Sequence, residues 1–573
     1  MEERMGRKAW RERYAHPCVW DQEFPPLAVT EMFAASVSAY GDSPLVDFLG
    51  RRYTYRAIAR EARAFAAGLQ ALGVAKGDRV GLFLPNVPVY LSAYFGAMIA
   101  GATVVNFSPL YTRDELAAQV ADSGTRLMVT LDVPALLPTA TDVLAATALE
   151  WLVVGRLARM LPRWQGLALR TLRRRDQAPV PDAANVFEWP ELLADTAPAP
   201  VAIDPEHDLA LLQYTGGTTG TPKGAMLSHQ NLTANARQIE AVDPNAHQRD
   251  MIVGVLPFFH VFANATLLNR TVCNGGCIAM LPRFHAAQAL ATIERVRATT
   301  MPGVPTMYQA LLDRPELSRT DFSSLRTCIS GGAPLPLPVK QRFEAATGAR
   351  LVEGYGMTET SGVVSTNPFD GQERPGTIGH PLPGTDLRLI DKEDDTRDAA
   401  PGEPGELAII GPQVMLGYWN RPDAAARAFV ERTDAAGRVS RWLRTGDIAT
   451  IDDDGYVRIV DRTKDMIAVG GFKVFPSQVE SVLIQHPSVR EAVVIGVPDA
   501  YHGEMPRAFV TIDPARPVTS GDLRDWLNAR LGKHERVDKV DVRATLPRTM
   551  VGKLDRKALR AELAAEEAGT GPA

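Results

Sequence analysis

At 573 residues with 45% hydrophobic content, the chain is too long for one ordinary domain and has enough apolar material for at least two cores. Its formal net charge of -5 carries no nucleic-acid footprint, and its four scattered cysteines (Cys18, Cys273, Cys277, Cys328) supply neither a disulfide framework nor paired zinc ligands. Function must therefore be read from sites, and a reducing cytosol is the expected compartment.

The N-terminal M-E-E-R-M-G-R-K-A-W-R-E-R alternates charges around no apolar centre and does not read as a secretory signal. From about Phe33 to Leu110, a helix over Ile58 to Leu72, a strand R-V-G-L-F-L, a helix over Tyr90 to Ile99 and a strand over Ala102 to Asn106 follow in turn. Such alternation predicts a parallel sheet covered by helices. The uncharged stretch Val80 to Thr112 is long enough to span a bilayer, but Pro85 and Pro88 break it, so a buried α/β layer is the better account. Between Trp151 and Arg175 lie seven arginines, two tryptophans and no acid. This composition fits either an arginine-rich surface excursion or an interfacial element that meets lipid phosphates.

Residues Tyr214 to Gly224 read Y-T-G-G-T-T-G-T-P-K-G, with four glycines and four threonines ahead of and around a lone lysine. They follow the buried-strand run Leu209 to Leu212, and Ser228 reads as the N-cap of a helix from His229, which places the motif where strand hands over to helix. Glycines turn backbone N–H groups toward an anion, threonine hydroxyls add donors and Lys223 adds a mobile positive charge. The spacing is not that of the common P-loop, which needs Gly-Lys-Ser/Thr. Strand candidates then recur at Met251 to Leu256, Ile278 to Leu281, Leu325 to Ile329 and Arg350 to Val352, with a β-rich piece from Leu387. After Asp461 the elements shorten: a helix near Ser477 to Gln485, strands at Ala492 to Val497 and Ala508 to Ile512, a helix at Ser520 to Leu531 and a strand near Val537 to Val542. The fold expected is α/β: a large N-terminal region of doubly wound mixed sheets with a β-rich subdomain (1–461), and a small mobile α+β C-terminal domain (462–573).

Further blocks stand downstream of the motif: S-G-G-A-P-L (Ser330 to Leu335), E-G-Y-G-M-T-E-T (Glu353 to Thr360), R-T-G-D (Arg444 to Asp447), V-D-R-T-K-D-M-I (Val460 to Ile467), V-G-G-F-K-V (Val469 to Val474) and L-P-R-T-M-V-G-K-L-D-R (Leu546 to Arg556). With N-F-S-P-L-Y-T near Asn106, L-P-F-F-H-V-F at Leu256 to Phe262 and G-P-Q-V-M-L-G-Y-W-N-R-P-D at Gly411 to Asp423, the chain resembles the adenylate-forming superfamily over almost its whole length. Within it, bacterial long-chain fatty acid:CoA ligases are most similar.

The resemblance implies activation of a carboxylate by ATP to an acyl-AMP, then transfer to a thiol, with ATP, Mg²⁺ and coenzyme A as the small molecules. It places the phosphates on Thr215, Gly216, Gly217, Thr218, Thr219, Gly220, Thr221 and Lys223, and adenine on Tyr355, Gly356 and the turn Gly332, Ala333, Pro334. Thr358 would donate to the α-phosphate, Glu359 and Thr218 would hold the metal, and Asp447 with Arg462 would hold the ribose. Taken alone, Tyr355 reads rather as a core aromatic and Glu359 as an acid at a helix start; lying downstream of the phosphate motif in the family's order reverses that. Lys464 takes the hinge position, Lys553 is delivered to the reacting centre by the mobile domain, and Gly470 and Gly471 border the pantetheine path. His260 lies by the acyl and CoA passage, or is a satisfied core histidine. One departure is His534, Glu535, Arg536, Val537, where relatives carry Tyr-Lys-x-Pro; it bears on CoA-side contacts. A carrier-protein acyl-AMP ligase and a non-catalytic lipid-binding adaptor are the competing readings. Peripheral membrane contact through 151–175, on the inner face of the membrane, and a homodimer are compatible with the sequence; nucleic acid is not expected.

Overall fold

The computed structural model describes residues 9–215, 222–246, 248–391, 394–433, 436–462, 465–469, 472–499, 501–549 and 554–567. These divide into two compact units, Met1–Asp386 with Ile410–Phe429, and Leu387–Ile409 with Val430–Ala573.

The first unit is built on two large sheets. One has eight strands, in the order Gly417–Tyr418, Lys223–Ser228, Leu209–Thr215, Thr103–Phe107, Arg79–Phe83, Thr125–Leu131, Trp151–Gly155, Val186–Glu188. It is parallel from Leu209–Thr215 onward and antiparallel at the other edge. The second has nine, in the order His380–Pro381, Ser365–Thr366, Arg350–Tyr355, Thr327–Ser330, Thr300–Gly303, Met251–Gly254, Cys277–Met280, Pro44–Phe48, Arg51–Thr54. Its centre is parallel and both ends are antiparallel.

Helix Pro88–Ile99, within the uncharged stretch noted above, is apolar all round and buried on every face, as a core helix must be. Phe95 stacks on Phe33 of helix Val29–Tyr40 with centroids 3.9 Å apart, and the Tyr90 hydroxyl reaches both Asn106 and the Phe258 carbonyl, so this layer ties the two sheets together. Among the described residues, no helix is long and apolar enough to cross a membrane.

Two local expectations are corrected. The segment after Thr215 does not run into a helix: Lys223–Ser228 is itself a strand, paired antiparallel with Leu209–Thr215 so that Thr215 faces Lys223. The helix His229–Ala241 follows it, starting where the sequence placed it, with Ser228 as its N-cap, Oγ accepting from the Asn231 N–H at 3.1 Å. Nor is 151–175 one interfacial element. Trp151–Gly155 is a buried sheet strand and Arg156 pairs with Glu188, so only the helices Leu157–Met160 and Arg163–Thr171 and the residues after them reach the surface.

In the second unit, Asp386–Ile390, Gly405–Ile410, Val439–Ile451 and Phe429–Thr433 form a sheet that Val457–Arg462 joins along Val439–Ile451. A further sheet contains Phe472–Val474, Ile467–Val469, Gly503–Ile512 and Val489–Asp499, with Lys539–Val542 parallel to Gly503–Ile512. Its two faces follow the period of two along the strand. Ala492 and Val494 pack with Val479, Leu483, Leu523 and Leu527 of the helices Pro476–Leu483 and Ser520–Asn528, whereas Val493, Ile495 and Phe509 pack with Leu559 and Leu563 of Arg556–Glu567.

Candidate active site

In open α/β sheets, ligands gather outside the carboxyl ends of the parallel strands. Four of the expected site segments leave strands at such ends in the first unit: the motif after Thr215, Phe258 to His260 after Met251–Gly254, Gly331 to Pro334 after Thr327–Ser330, and Gly356 to Glu359 after Arg350–Tyr355. Side chains link them. Gln213 Nε2 donates to the Phe259 carbonyl at 2.9 Å, and a Cβ on Gly331 would come within 2.8 Å of the Phe262 ring. Gly332 and Pro334 are exposed and Ala333 and Tyr355 half-buried.

Gly356 is fixed by sterics. A Cβ there would fall 1.7 Å from the Gly362 carbonyl oxygen, so the chain can cross itself only with glycine at this point. Just beyond lies the short 3₁₀ turn Thr358–Thr360, which leaves Thr358 half-buried and turns Glu359 inward to 8% exposure. The Tyr418 hydroxyl donates to Glu359 Oε1 at 2.6 Å, and the Met415 N–H donates to the Glu359 carbonyl at 2.8 Å. Tyr418 sits on the edge strand Gly417–Tyr418, opposite Ala225. The half-buried Lys223 places its Nζ 5.2 Å from the centre of the Tyr418 ring. Burial, and then the Glu359 charge, push the Tyr418 phenol well above its ordinary range, so it remains a donor.

The base of the Gly/Thr motif is clamped from both sides by Asp122. Its carboxylate accepts from Tyr214 Oη at 2.7 Å and pairs with Arg421 at 2.7 Å, and its carbonyl accepts from Trp419 Nε1 at 3.1 Å. His260 caps the short helix Val261–Ala263, with Nδ1 accepting from the Phe262 N–H at 3.3 Å, and remains half-buried.

In the second unit, Asp447 and Arg462 face each other across paired strands, with Arg462 Nε 3.1 Å from Asp447 Oδ1. The Asp447 side chain is 7% exposed and that of Arg462 47%. Asp461 accepts from the Ser477 N–H at 3.0 Å and from its hydroxyl at 3.1 Å, and burial raises the Asp461 carboxyl above its usual range.

The structure thus brings Lys223 and Glu359 to one place and Asp447 and Arg462 to another. Gly216, Gly217, Thr218, Thr219, Gly220, Thr221, Lys464, Gly470, Gly471 and Lys553 lie outside the described residues. Tyr418, Gln213 and Asp122 were not singled out from sequence. Tyr418 does fall within the G-Y-W-N-R-P-D stretch, so a signal for it was present.

Among the described residues no cluster of three metal-ligating side chains occurs, and the second Glu359 carboxylate oxygen has no hydrogen-bond partner. A largely buried carboxylate with one oxygen held by Tyr418 suits Mg²⁺, a hard cation usually held by one or two carboxylates together with phosphate oxygens and water.

Known proteins match this architecture along nearly its whole length. The chain is 36% identical over 562 residues to a long-chain-fatty-acid--CoA ligase of Bacillus subtilis, covering 97% of this chain and 98% of that one. It is 38% identical over 572 residues to the Escherichia coli O157:H7 protein of the same name, with the same coverage. Among solved structures, ATP-bound MatB from Rhodopseudomonas palustris superposes with a TM-score of 0.80 at 28% identity, covering 95% of this chain and 100% of that one. The anthranilate CoA ligase complex with anthranoyl-AMP gives 0.81 at 26% identity, covering 95% and 99%. The AMP-binding enzyme model matches residues 33–419 and that of the AMP-binding enzyme C-terminal domain matches 478–553. With both parts matched in order and the carboxyl edges of its sheets carrying the motifs, the chain belongs to the AMP-binding enzyme family.

Proposed function

We propose that the protein is an AMP-forming long-chain fatty acid:CoA ligase. The fatty carboxylate oxygen attacks the α-phosphorus of ATP and the bond to pyrophosphate breaks; the CoA sulfur then attacks the acyl carbon, its proton passes to solvent and AMP leaves. Free carboxylic acids titrate near about 4, so the first nucleophile arrives ionised and needs no general base. The site's work is to position it and to stabilise phosphate charge.

The observation that carries this reading is Lys223 and Glu359 on the two ends of one tyrosine, at the carboxyl edge of the sheets. Lys223 and the Gly/Thr motif (Thr215, Gly216, Gly217, Thr218, Thr219, Gly220, Thr221) would take the phosphates, and Thr358 the α-phosphate. Tyr355, Gly356, Gly332, Ala333 and Pro334 would border adenine, and His260 the acyl and CoA passage. Glu359 and Thr218 would hold Mg²⁺, which when bound neutralises phosphate charge. Asp447 can accept from both ribose hydroxyls, with Arg462 beside it. The region 462–573 would swing about Lys464 between the half-reactions, bringing Lys553 to the reacting centre for the first and aligning Gly470 and Gly471 with the pantetheine arm for the second.

Incubating purified protein with palmitate, ATP and Mg²⁺, with and without CoA, tests the reading. CoA-dependent release of AMP together with palmitoyl-CoA is expected. Pyrophosphate release indifferent to CoA would move the function to a carrier-protein ligase, and no turnover would move it to a lipid-binding adaptor.

One surface favours a peripheral membrane site in addition. On helix Arg163–Thr171, Gly166 and Leu169 face inward while Trp164 is 70% exposed and Leu167 57%; Leu172, just beyond, is 85% exposed. Exposed Arg163, Arg170 and Arg173 flank them, which is the pairing of apolar insertion with phosphate attraction that an anionic bilayer recognises. Co-sedimentation with anionic vesicles at low salt, reduced by Trp164→Ser with Leu167→Ser, is expected. Protein remaining in solution would remove this reading without touching the ligase assignment.

A further inference from the structure

Lys223 and Glu359 carry opposite charges, sit in one partly dry site and form no ion pair with each other; each contacts Tyr418 instead, the ammonium 5.2 Å from the ring centre and the carboxylate through a 2.6 Å hydrogen bond from the hydroxyl. Opposite charges in one partly dry site attract, and a direct salt bridge would compete with this arrangement if nothing stood between them. Such a bridge would occupy the carboxylate oxygen that a cation needs and the ammonium that a phosphate needs. The phenol has little freedom to move aside, because its strand is sewn to Lys223–Ser228 with Tyr418 opposite Ala225, the Trp419 N–H donates to the Gly224 carbonyl at 2.8 Å, and Arg421 is held by Asp122.

We infer that Tyr418 is a positioning residue, a spacer that keeps the phosphate-facing lysine and the metal-facing carboxylate from closing on each other before nucleotide arrives. The inference rests on the ligase reading and deepens it by assigning a residue that holds the two charged groups apart. The hydroxyl fixes one oxygen of Glu359 and leaves the other free, while the ring face gives the ammonium a weak, easily surrendered resting place. The arrangement is therefore ready for a ligand carrying its own negative and positive centres, a metal-bound nucleoside triphosphate, without first having to break an internal ion pair.

Three variants test this: Tyr418→Phe removes the hydroxyl and keeps the ring, Tyr418→Leu removes both, and Tyr418→Phe with Lys223→Gln removes the tether and the group that would capture the carboxylate. The readout is Mn²⁺ binding to the nucleotide-free protein, followed by electron paramagnetic resonance, alongside ATP affinity, AMP affinity and the thermal midpoint. Tyr418→Phe should weaken Mn²⁺ about tenfold, the scale of losing one hydrogen bond to a charged group, while AMP affinity and the thermal midpoint stay at wild-type values. Tyr418→Leu should weaken it further, and adding Lys223→Gln to Tyr418→Phe should recover most of the loss. Mn²⁺ affinity within about twofold of wild type in Tyr418→Phe, less than one hydrogen bond is worth, would overturn the spacer role, as would a double variant weaker than the single one. A wild-type protein that binds no ATP would instead overturn the ligase reading.

Discussion

The two places where charged side chains gather are built in opposite ways. In the first unit, Glu359 is 8% exposed, with one carboxylate oxygen held by Tyr418 and its carbonyl held by the Met415 N–H; in the second, Asp447 is buried but Arg462, facing it from the adjacent strand, is 47% exposed. The difference matches the chemistry proposed for each. Groups that meet developing phosphate charge gain from being dry and fixed in advance, whereas groups that grip a ribose must admit a ligand and let it go.

The sharpest way to break that comparison is Lys553→Ala. It should cut acyl-AMP formation at least about 100-fold, the scale of losing one well-placed charge stabiliser, while thioester formation from supplied acyl-AMP survives. Equal loss in both half-reactions, read by single-turnover assays, would contradict a lysine used in one orientation only. Next in size, Glu359→Gln should lower kcat/KM for adenylation about 30-fold, roughly 2 kcal/mol for one charge-assisted contact, and raise the Mg²⁺ concentration needed for half-maximal rate; an unchanged Mg²⁺ dependence would dissociate Glu359 from the metal. Asp447→Asn should act more gently, raising KM for ATP about tenfold with a smaller change in kcat, as expected for binding shared by ground and transition states. A fall in kcat alone would mean that the second unit contributes to the chemical step as directly as the first.

The smallest effect sharpens the contrast through stability. Burial, reinforced by His380, lowers His16 from 6.5 to about 3, in a cluster where its ring lies 5.1 Å from that of Tyr14 and 6.2 Å from that of His380. A histidine held neutral contributes stability that is complete above pH 6.5 and is lost as pH falls toward about 3. Replacing it with Phe should move the acid-unfolding midpoint of the first unit down by about half a pH unit, the direction linkage requires, followed by tryptophan fluorescence. An unmoved midpoint would show that His16 does not limit acid stability.

Much of this molecule was legible in its residues. The strands at Arg79–Phe83, Thr103–Phe107, Leu209–Thr215, Met251–Gly254, Cys277–Met280, Thr327–Ser330 and Arg350–Tyr355 were legible because each is a short apolar run closed by glycine, proline or a polar turn, and the all-apolar helix at Pro88–Ile99 gave no surface face, whereas Pro44–Phe48, Thr125–Leu131, Val186–Glu188 and Thr300–Gly303 were not read as strands. Lys223 and Glu359 were singled out by motif. What was missed depends on pairing across distance. K-G-A-M-L-S has no marked alternation, and only its two strand neighbours, Leu209–Thr215 and Gly417–Tyr418, make it a strand. Trp151–Gly155 was submerged in the arginines that follow it, although W-L-V-V-G alone has the composition of a buried parallel strand. Tyr418 contacts a residue 59 positions earlier, a distance at which no local pattern operates.

That last separation also governs how the protein is born. The strand Lys223–Ser228 has one neighbour as soon as it leaves the ribosome, but its other side stays bare until Gly417–Tyr418 emerges almost two hundred residues later, and the Asp122 to Arg421 pair spans 299 positions. Through that interval the nascent chain exposes an unpaired sheet border beside the proposed nucleotide site, the kind of surface on which stray chains add themselves. The short edge strand that completes the site thus also seals that border, and a translation pause before residue 417 would leave both undone.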